Sequence, residues 1–117
     1  MNKEELIART KSFAHRCVKL AVSLPDTCLT NHIRGQLIRS STSVAANYRA
    51  TCLAQTKRSF VAKISIVIEE VDECQFWLEF ILDEGILGKK NMELLLKEAG
   101  ELTAIFIASR KTASTNK

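Results

Sequence analysis

The sequence predicts an all-α fold, an antiparallel up-down-up-down four-helix bundle. Three observations lead there. Apolar residues recur at three- and four-residue spacing through four long segments. One proline and four glycines in 117 residues leave too few turns for a sandwich or barrel. The links between the segments are short, which sets successive helices antiparallel. With 46% hydrophobic and 26% charged residues the chain is globular, and it is long enough to bury a real core. Residues 1–117 read as a single four-helix bundle domain, with helices at about 3–23, 27–53, 57–84 and 90–112 and neither a repeat nor a low-complexity tract.

The first helix carries Leu6, Phe13, Cys17, Leu20 and Leu24 on one stripe. Ile7, Ala14, Val18 and Ala21 widen it, while Lys3, Lys11 and Lys19 ride outside. Pro25, in "LPDT", breaks the period and suits a turn or a new helix start. The second helix then starts near Pro25 or Thr30 and keeps its period with Leu29, Ile33, Leu37, Val44 and Tyr48, Ser40 or Ser41 filling the gap. Its centre, "SSTSVAAN", spends several turns on side chains that bury little area. That run predicts a close-contact strip where a neighbour approaches, inside the bundle or across subunits. Gly35 costs this helix about 1 kcal/mol relative to alanine, so a close helix approach is expected there too.

The third helix is the best defined. Thr56 is its expected N-cap, and Phe60, Ile64, Val67, Val71, Cys74, Leu78 and Ile81 are spaced 4-3-4-3-4-3, a seam of coiled-coil type. Ile66, Ile68, Phe76, Trp77, Phe80 and Leu82 lie off that seam and call for a second burial surface, either the rest of the core or another subunit. Gly85 suits a left-handed C-cap. Met92, Leu95, Leu96, Ala99, Leu102, Ile105 and Phe106 form the stripe of the fourth helix, and "TASTNK" reads as a frayed polar tail.

No apolar run approaches the roughly 18 residues of a membrane span. The opening "MNKEELIARTK" is amphipathic and holds two acids, so no secretion signal is read and a soluble, cytoplasmic protein is expected. Cys17, Cys28, Cys52 and Cys74 form no C-x-x-C pair; without export they read as small buried apolar residues. A zinc site would draw on Cys28 and His32 with His15 and Cys17, but the latter two point apart on a helix, so no metal or other cofactor is expected. An enzyme is not expected either. Glu69 and Glu73 share a face, yet neither histidine follows a glutamate by three as a di-metal bundle requires. The serines near position 41 have no histidine beside them in sequence, and no glycine-rich phosphate loop is present.

The formal net charge is +4 with a pI of about 9.0, which makes an anionic partner plausible, nucleic acid first. In the third helix Lys57, Arg58 and Lys63 open an acid-free start, and Glu69, Glu70, Asp72, Glu73, Glu79, Asp83 and Glu84 follow. This order opposes the helix dipole at both ends; matching charges on neighbouring helices would also account for it. Arg49, Lys57 and Arg58 flank one turn and share one end of the bundle with Gln55 and Thr56. Arg39 lies nearly three turns back and is alternatively a partner for an acid of the third helix. Arg39, Arg49, Lys57, Arg58 and Lys63 are thus the candidate nucleic-acid surface, binding phosphates in a sequence-tolerant, salt-dependent way. Only Tyr48 is at hand for base stacking.

"QLIRSSTSVAANYRA" (Gln36 to Ala50) and "FVAKISIVIEEVDECQFWLEFI" (Phe60 to Ile81), with Glu70, Glu73, Trp77 and Leu78 as the closing element, resemble the small bacterial bundles of the S23 or 23S-rRNA-intervening-sequence family. The resemblance covers almost the whole chain. It implies a homo-oligomer, typically a pentameric ring with a central channel, and a non-enzymatic scaffold that binds RNA or DNA. A related protein serves diversity-generating retroelements beside a reverse transcriptase, which makes such a polymerase a candidate partner by resemblance. Phe76, Trp77 and Phe80 with Ser41 and Ala45 are then the expected oligomer contacts. Acids are common in the family where this chain has Ala50, Gln55 and Ser59, so this end is more basic here. The other reading is a protein–protein adaptor or structural scaffold with no nucleic-acid role.

Overall fold

A computed structural model of the chain describes residues 1–115 and places most of them in four helices. They are α1 (Lys3–Val22), α2 (Cys28–Thr51), α3 (Lys57–Asp83) and α4 (Lys89–Thr115). No strand occurs among the described residues. The helices run up, down, up and down along a rod of 50 × 21 × 20 Å. Chain neighbours pack broadly against each other, whereas α1 and α4 meet only lightly. The fourth helix extends through most of the stretch expected to fray; Asn116 and Lys117 lie outside the described residues.

Local chemistry sets the helix ends. The Asn2 side chain accepts from the Glu5 N–H at 2.8 Å and opens α1. Thr27 and Thr30 exchange side-chain and backbone bonds as a capping box, so α2 starts at Cys28, after Pro25 and not on it. Thr56 caps α3 by accepting from the Ser59 N–H at 3.0 Å. At the other end of α3, Gly85 takes a φ of 67°. The Ile86 N–H reaches back to the Ile81 carbonyl at 3.1 Å and the Gly85 N–H to Leu82 at 3.0 Å, a Schellman motif. Arg34 closes the α1–α2 turn. Its guanidinium donates to the carbonyls of Ala21 (3.1 Å) in the last turn of α1 and of Leu24 (2.7 Å) and Pro25 (3.3 Å) in the turn that follows.

The core follows the stripes. Phe13 and Cys17 of α1, Ile33 and Leu37 of α2, the α3 seam from Ile64 to Ile81, and Met92, Leu102 and Phe106 of α4 are all inaccessible to solvent. The α3 residues off the seam divide. Ile68, Trp77, Phe80 and Leu82 are half-buried against the core, but Ile66 and Phe76 stay 46% and 51% exposed. The second burial surface is therefore only partly the bundle itself.

The small-residue run of α2 also divides. Ser40 and Ser41 are fully buried, with their hydroxyls returned to the carbonyls of Gln36 (2.8 Å) and Ile38 (3.3 Å). The Cys74 thiol of α3 donates to the Ser40 hydroxyl at 3.3 Å, so small side chains do bring α2 and α3 together. Thr42 and Ala46 face outward and Ala45 is half-buried; all three line a groove against α1. Gly35 departs from expectation. It is exposed, and a methyl group added there would meet nothing within 4 Å, so no close helix approach explains it.

Candidate nucleic-acid interface

The turn between α2 and α3 brings Arg49, Lys57 and Arg58 to one end of the rod. Arg49 sits in the last turn of α2, where the helix dipole favours a cation; Lys57 and Arg58 sit in the first turn of α3, where it does not. Arg49 and Arg58 are exposed, Lys63 is half-buried, and none of the three makes a hydrogen bond or ion pair among the described residues. Lys57 borders a hollow with Met1, Phe60 and Ile105. Arg58 stands against the dipole with no acid paired to it among the described residues, which leaves its charge for an outside partner.

Arg39 is apart from this group. It bonds to Glu70 at 3.2 Å and to Glu73, both on α3 of the same chain. Glu73 also accepts from the Trp77 indole N–H at 3.1 Å, and His32 meets the Trp77 ring edge-on at 5.5 Å. The Arg39 hydrogen bond holds the Glu73 carboxyl below its ordinary range. Pairing with an acid of α3 was the alternative the sequence offered for Arg39, and here it is made within one chain. The Arg39 side chain is 50% exposed, so the pair adds at most about 1 kcal/mol. Tyr48 is not at hand for stacking, since it is buried against Phe106 at 5.2 Å between ring centres.

A second basic surface lies on α1, where spacing alone marks Lys11 and Lys19 only as the outside of an amphipathic helix. Lys11, His15, Arg16 and Lys19 are all exposed, with Ala8 and Ser12 among them. No acid occurs from Ala8 to Ser23. Arg9 alone turns away, forking onto Glu98 (2.7 and 2.6 Å) and reaching Glu101 (2.8 Å) to clasp α1 to α4. The acid-free run is legible in the sequence. Lys11 and His15 also border the groove that carries Arg49 on its far side, so the two basic regions are continuous. The expected oligomer contacts fall in separate places. Phe76, Trp77 and Phe80 stack on one another at 4.9–6.2 Å at the α3 surface, Ala45 lies in the groove, and Ser41 is inside the bundle.

What this surface offers is exposed positive charge. Among the described residues no three His, Cys, Asp or Glu side chains gather where a metal ion would be held. Burial pushes the Cys17 thiol up, and pushes Cys74 up to about 12, so both stay neutral thiols at physiological pH. Cys28, by contrast with the buried role expected of it, is exposed.

Comparison with known proteins places this architecture. The family model for the 23S rRNA-intervening sequence protein matches residues 2–108. The chain belongs to that family. Among solved structures it is similar to a protein of unknown function of the S23 ribosomal protein family from Bacteroides thetaiotaomicron VPI-5482. The two share 27% identity and a TM-score of 0.80 over 91% of this chain and 98% of that one. A search of curated proteins finds no significant match. The bundle and the family expected from Gln36–Ala50 and Phe60–Ile81 are thus both found. No described helix of this family member is long and apolar enough to cross a membrane.

Proposed function

We propose that this 23S rRNA-intervening sequence family member is a non-enzymatic, self-associating bundle that binds the phosphate backbone of RNA or DNA. The observation behind this reading is the acid-free face of α1, Lys11, His15, Arg16 and Lys19, continued by Arg49 across the groove and by Arg58 at the rod's end. Such a face binds by charge and counterion release, and the absence of an exposed aromatic beside it favours sequence-tolerant binding. Lys57 and Lys63 extend the same end. Arg39 contributes least, because Glu70 and Glu73 already match its charge.

Self-association, as a pentameric ring by the family resemblance, is supported by the exposed apolar residues Ile66 and Phe76 on a helix whose core seam is already filled. A reverse-transcriptase partner belongs to the same resemblance, and a cytoplasmic location is part of this reading. Filter binding against RNA and DNA at rising salt tests the nucleic-acid role, and absence of binding at low salt would refute it. The stacked Phe76, Trp77 and Phe80 favour one second reading, a protein adaptor. Pull-down of a defined protein with no nucleic acid would support that reading instead.

A further inference from the structure

Two faces of the chain lack a partner, and they match in length, shape and charge. The first is the outer side of α3. Ala62, Ile66, Glu69, Glu73, Phe76 and Phe80 are spaced 4-3-4-3-4, a second heptad seam beside the one that fills the core. Of its large apolar members, Ile66 and Phe76 are 46% and 51% exposed and Phe80 is half-buried. Around them α3 is acidic: no Lys or Arg occurs from Ile64 to Gly88. Of its acids, only Glu70 and Glu73 are paired among the described residues.

The second face is the groove between α1 and α2, about 440 Å³ in volume. Ile7, Ala14, Val18, Ala45 and Ala46 make its floor apolar and shallow, and Lys11 and Arg49 line it with positive charge, beside His15 and without an acid. None of these three makes a hydrogen bond or ion pair among the described residues. Along α1 the groove runs from Ile7 to Val18, about 16 Å at the helical rise; from Ile66 to Phe76 the seam spans about 15 Å. A floor of alanines admits bulky side chains from outside, as phosphates alone would not require.

We propose that the occupant of the groove is a second copy of this chain, its α3 outer seam laid between α1 and α2 with Ile66 and Phe76 on the alanine floor and Glu69 toward the cationic rim. The proposal rests on the self-association part of the function proposed above and says which faces meet. Because the two faces differ, the contact is head-to-tail, and each copy keeps one of each face for the next. In the assembled protein Lys11, His15 and Arg49 of the basic face are withdrawn into the protein contact, which narrows the phosphate-binding part of that face to Arg16, Lys19 and Arg58.

Light scattering and photo-crosslinking together test this. The full chain carrying p-benzoylphenylalanine in place of Phe76 is irradiated and the adducts mapped. The expected result is an oligomer with crosslinks to residues 7–18 or 42–49 of another copy. An oligomer crosslinked elsewhere overturns the pairing of faces but not self-association; a wild-type chain that is monomeric at tens of micromolar overturns both. As a second arm, Ala46→Glu puts an acid on the exposed groove floor against Glu69. It should weaken association about tenfold or more, with helical content and Tm unchanged. Unaltered association in A46E would also overturn the pairing.

Discussion

Replacing Ser41 with leucine tests the packing reading of the small-residue run. Ser41 is fully buried, and its hydroxyl is spent on a 3.3 Å bond to the Ile38 carbonyl one turn back. Losing that bond matters little, because such back-bonding barely stabilises a helix. Leucine, however, brings two more heavy atoms than serine into a site with no solvent-facing side. Overpacking of this kind costs about 1–3 kcal/mol. In a domain of this size each kcal/mol lowers Tm by roughly 3–6 °C, so Ser41→Leu should melt about 3–18 °C below wild type. Ser41→Ala is the control and should stay within about 0.5 kcal/mol. Thermal melts by circular dichroism, with urea titrations for the free energy, decide it. An unchanged Tm for the leucine variant would refute the view that α2 needs small side chains here.

Other substitutions separate the remaining roles. Gly35→Ala should stabilise the chain by about 0.5–1 kcal/mol, since the added methyl meets open space and a helix-interior glycine is lost; a urea midpoint that fails to rise would argue against this. Arg34→Ala should destabilise by about 1–2 kcal/mol by stripping donors from the carbonyls of Ala21, Leu24 and Pro25, measured as fraying of α1's end by hydrogen exchange. The α1–α4 clasp is pH-dependent. The Arg9 hydrogen bond holds the Glu98 carboxyl below its ordinary 4.5, so its stabilisation is whole above that pH and lost as pH falls through the depressed value. Glu98→Gln should therefore lower Tm at neutral pH, and the gap from wild type should close in acid.

Much of the bundle is written locally, and those parts were legible. The α3 seam, the Thr56 cap and the Gly85 stop depend on residues within a turn or two of each other, so spacing and side-chain type suffice. What escaped depends on residues distant in sequence. Arg34 finds its acceptors 9 to 13 residues upstream, across a turn whose path the sequence does not state. One local signal is also weak: Thr27 caps α2 with a threonine at the third position where a glutamate would signal a capping box, so spacing leaves the start open between Pro25 and Thr30. Which off-seam apolar residues of α3 are covered depends on where α2 and α4 lie. Trp77 leans toward α2 and is half-buried, while Phe76, one residue away, is exposed. Gly35 has no packing reason within the chain, contrary to the rule that suggested one.

The basic surface was half legible. The turn between the second and third helices points to Arg49 and Arg58 from sequence alone, whereas spacing marks the α1 face only as the outside of an amphipathic helix. Its significance comes from the folded chain, which sends Arg9 to Glu98 and Glu101 and leaves Lys11, His15, Arg16 and Lys19 together.

The binding claim is tested most directly by fluorescence anisotropy of mixed-sequence RNA and DNA oligonucleotides titrated with wild type and with the Arg16→Glu/Lys19→Glu variant across a salt series. Both positions are exposed and outside the groove floor, so fold and assembly should persist. Wild type should bind both nucleic acids with log K falling linearly in log salt, and the variant should bind more weakly, with a slope smaller by about 2. Equal affinity and slope for the two proteins, or no binding by wild type at low salt, would contradict a phosphate-binding role for α1.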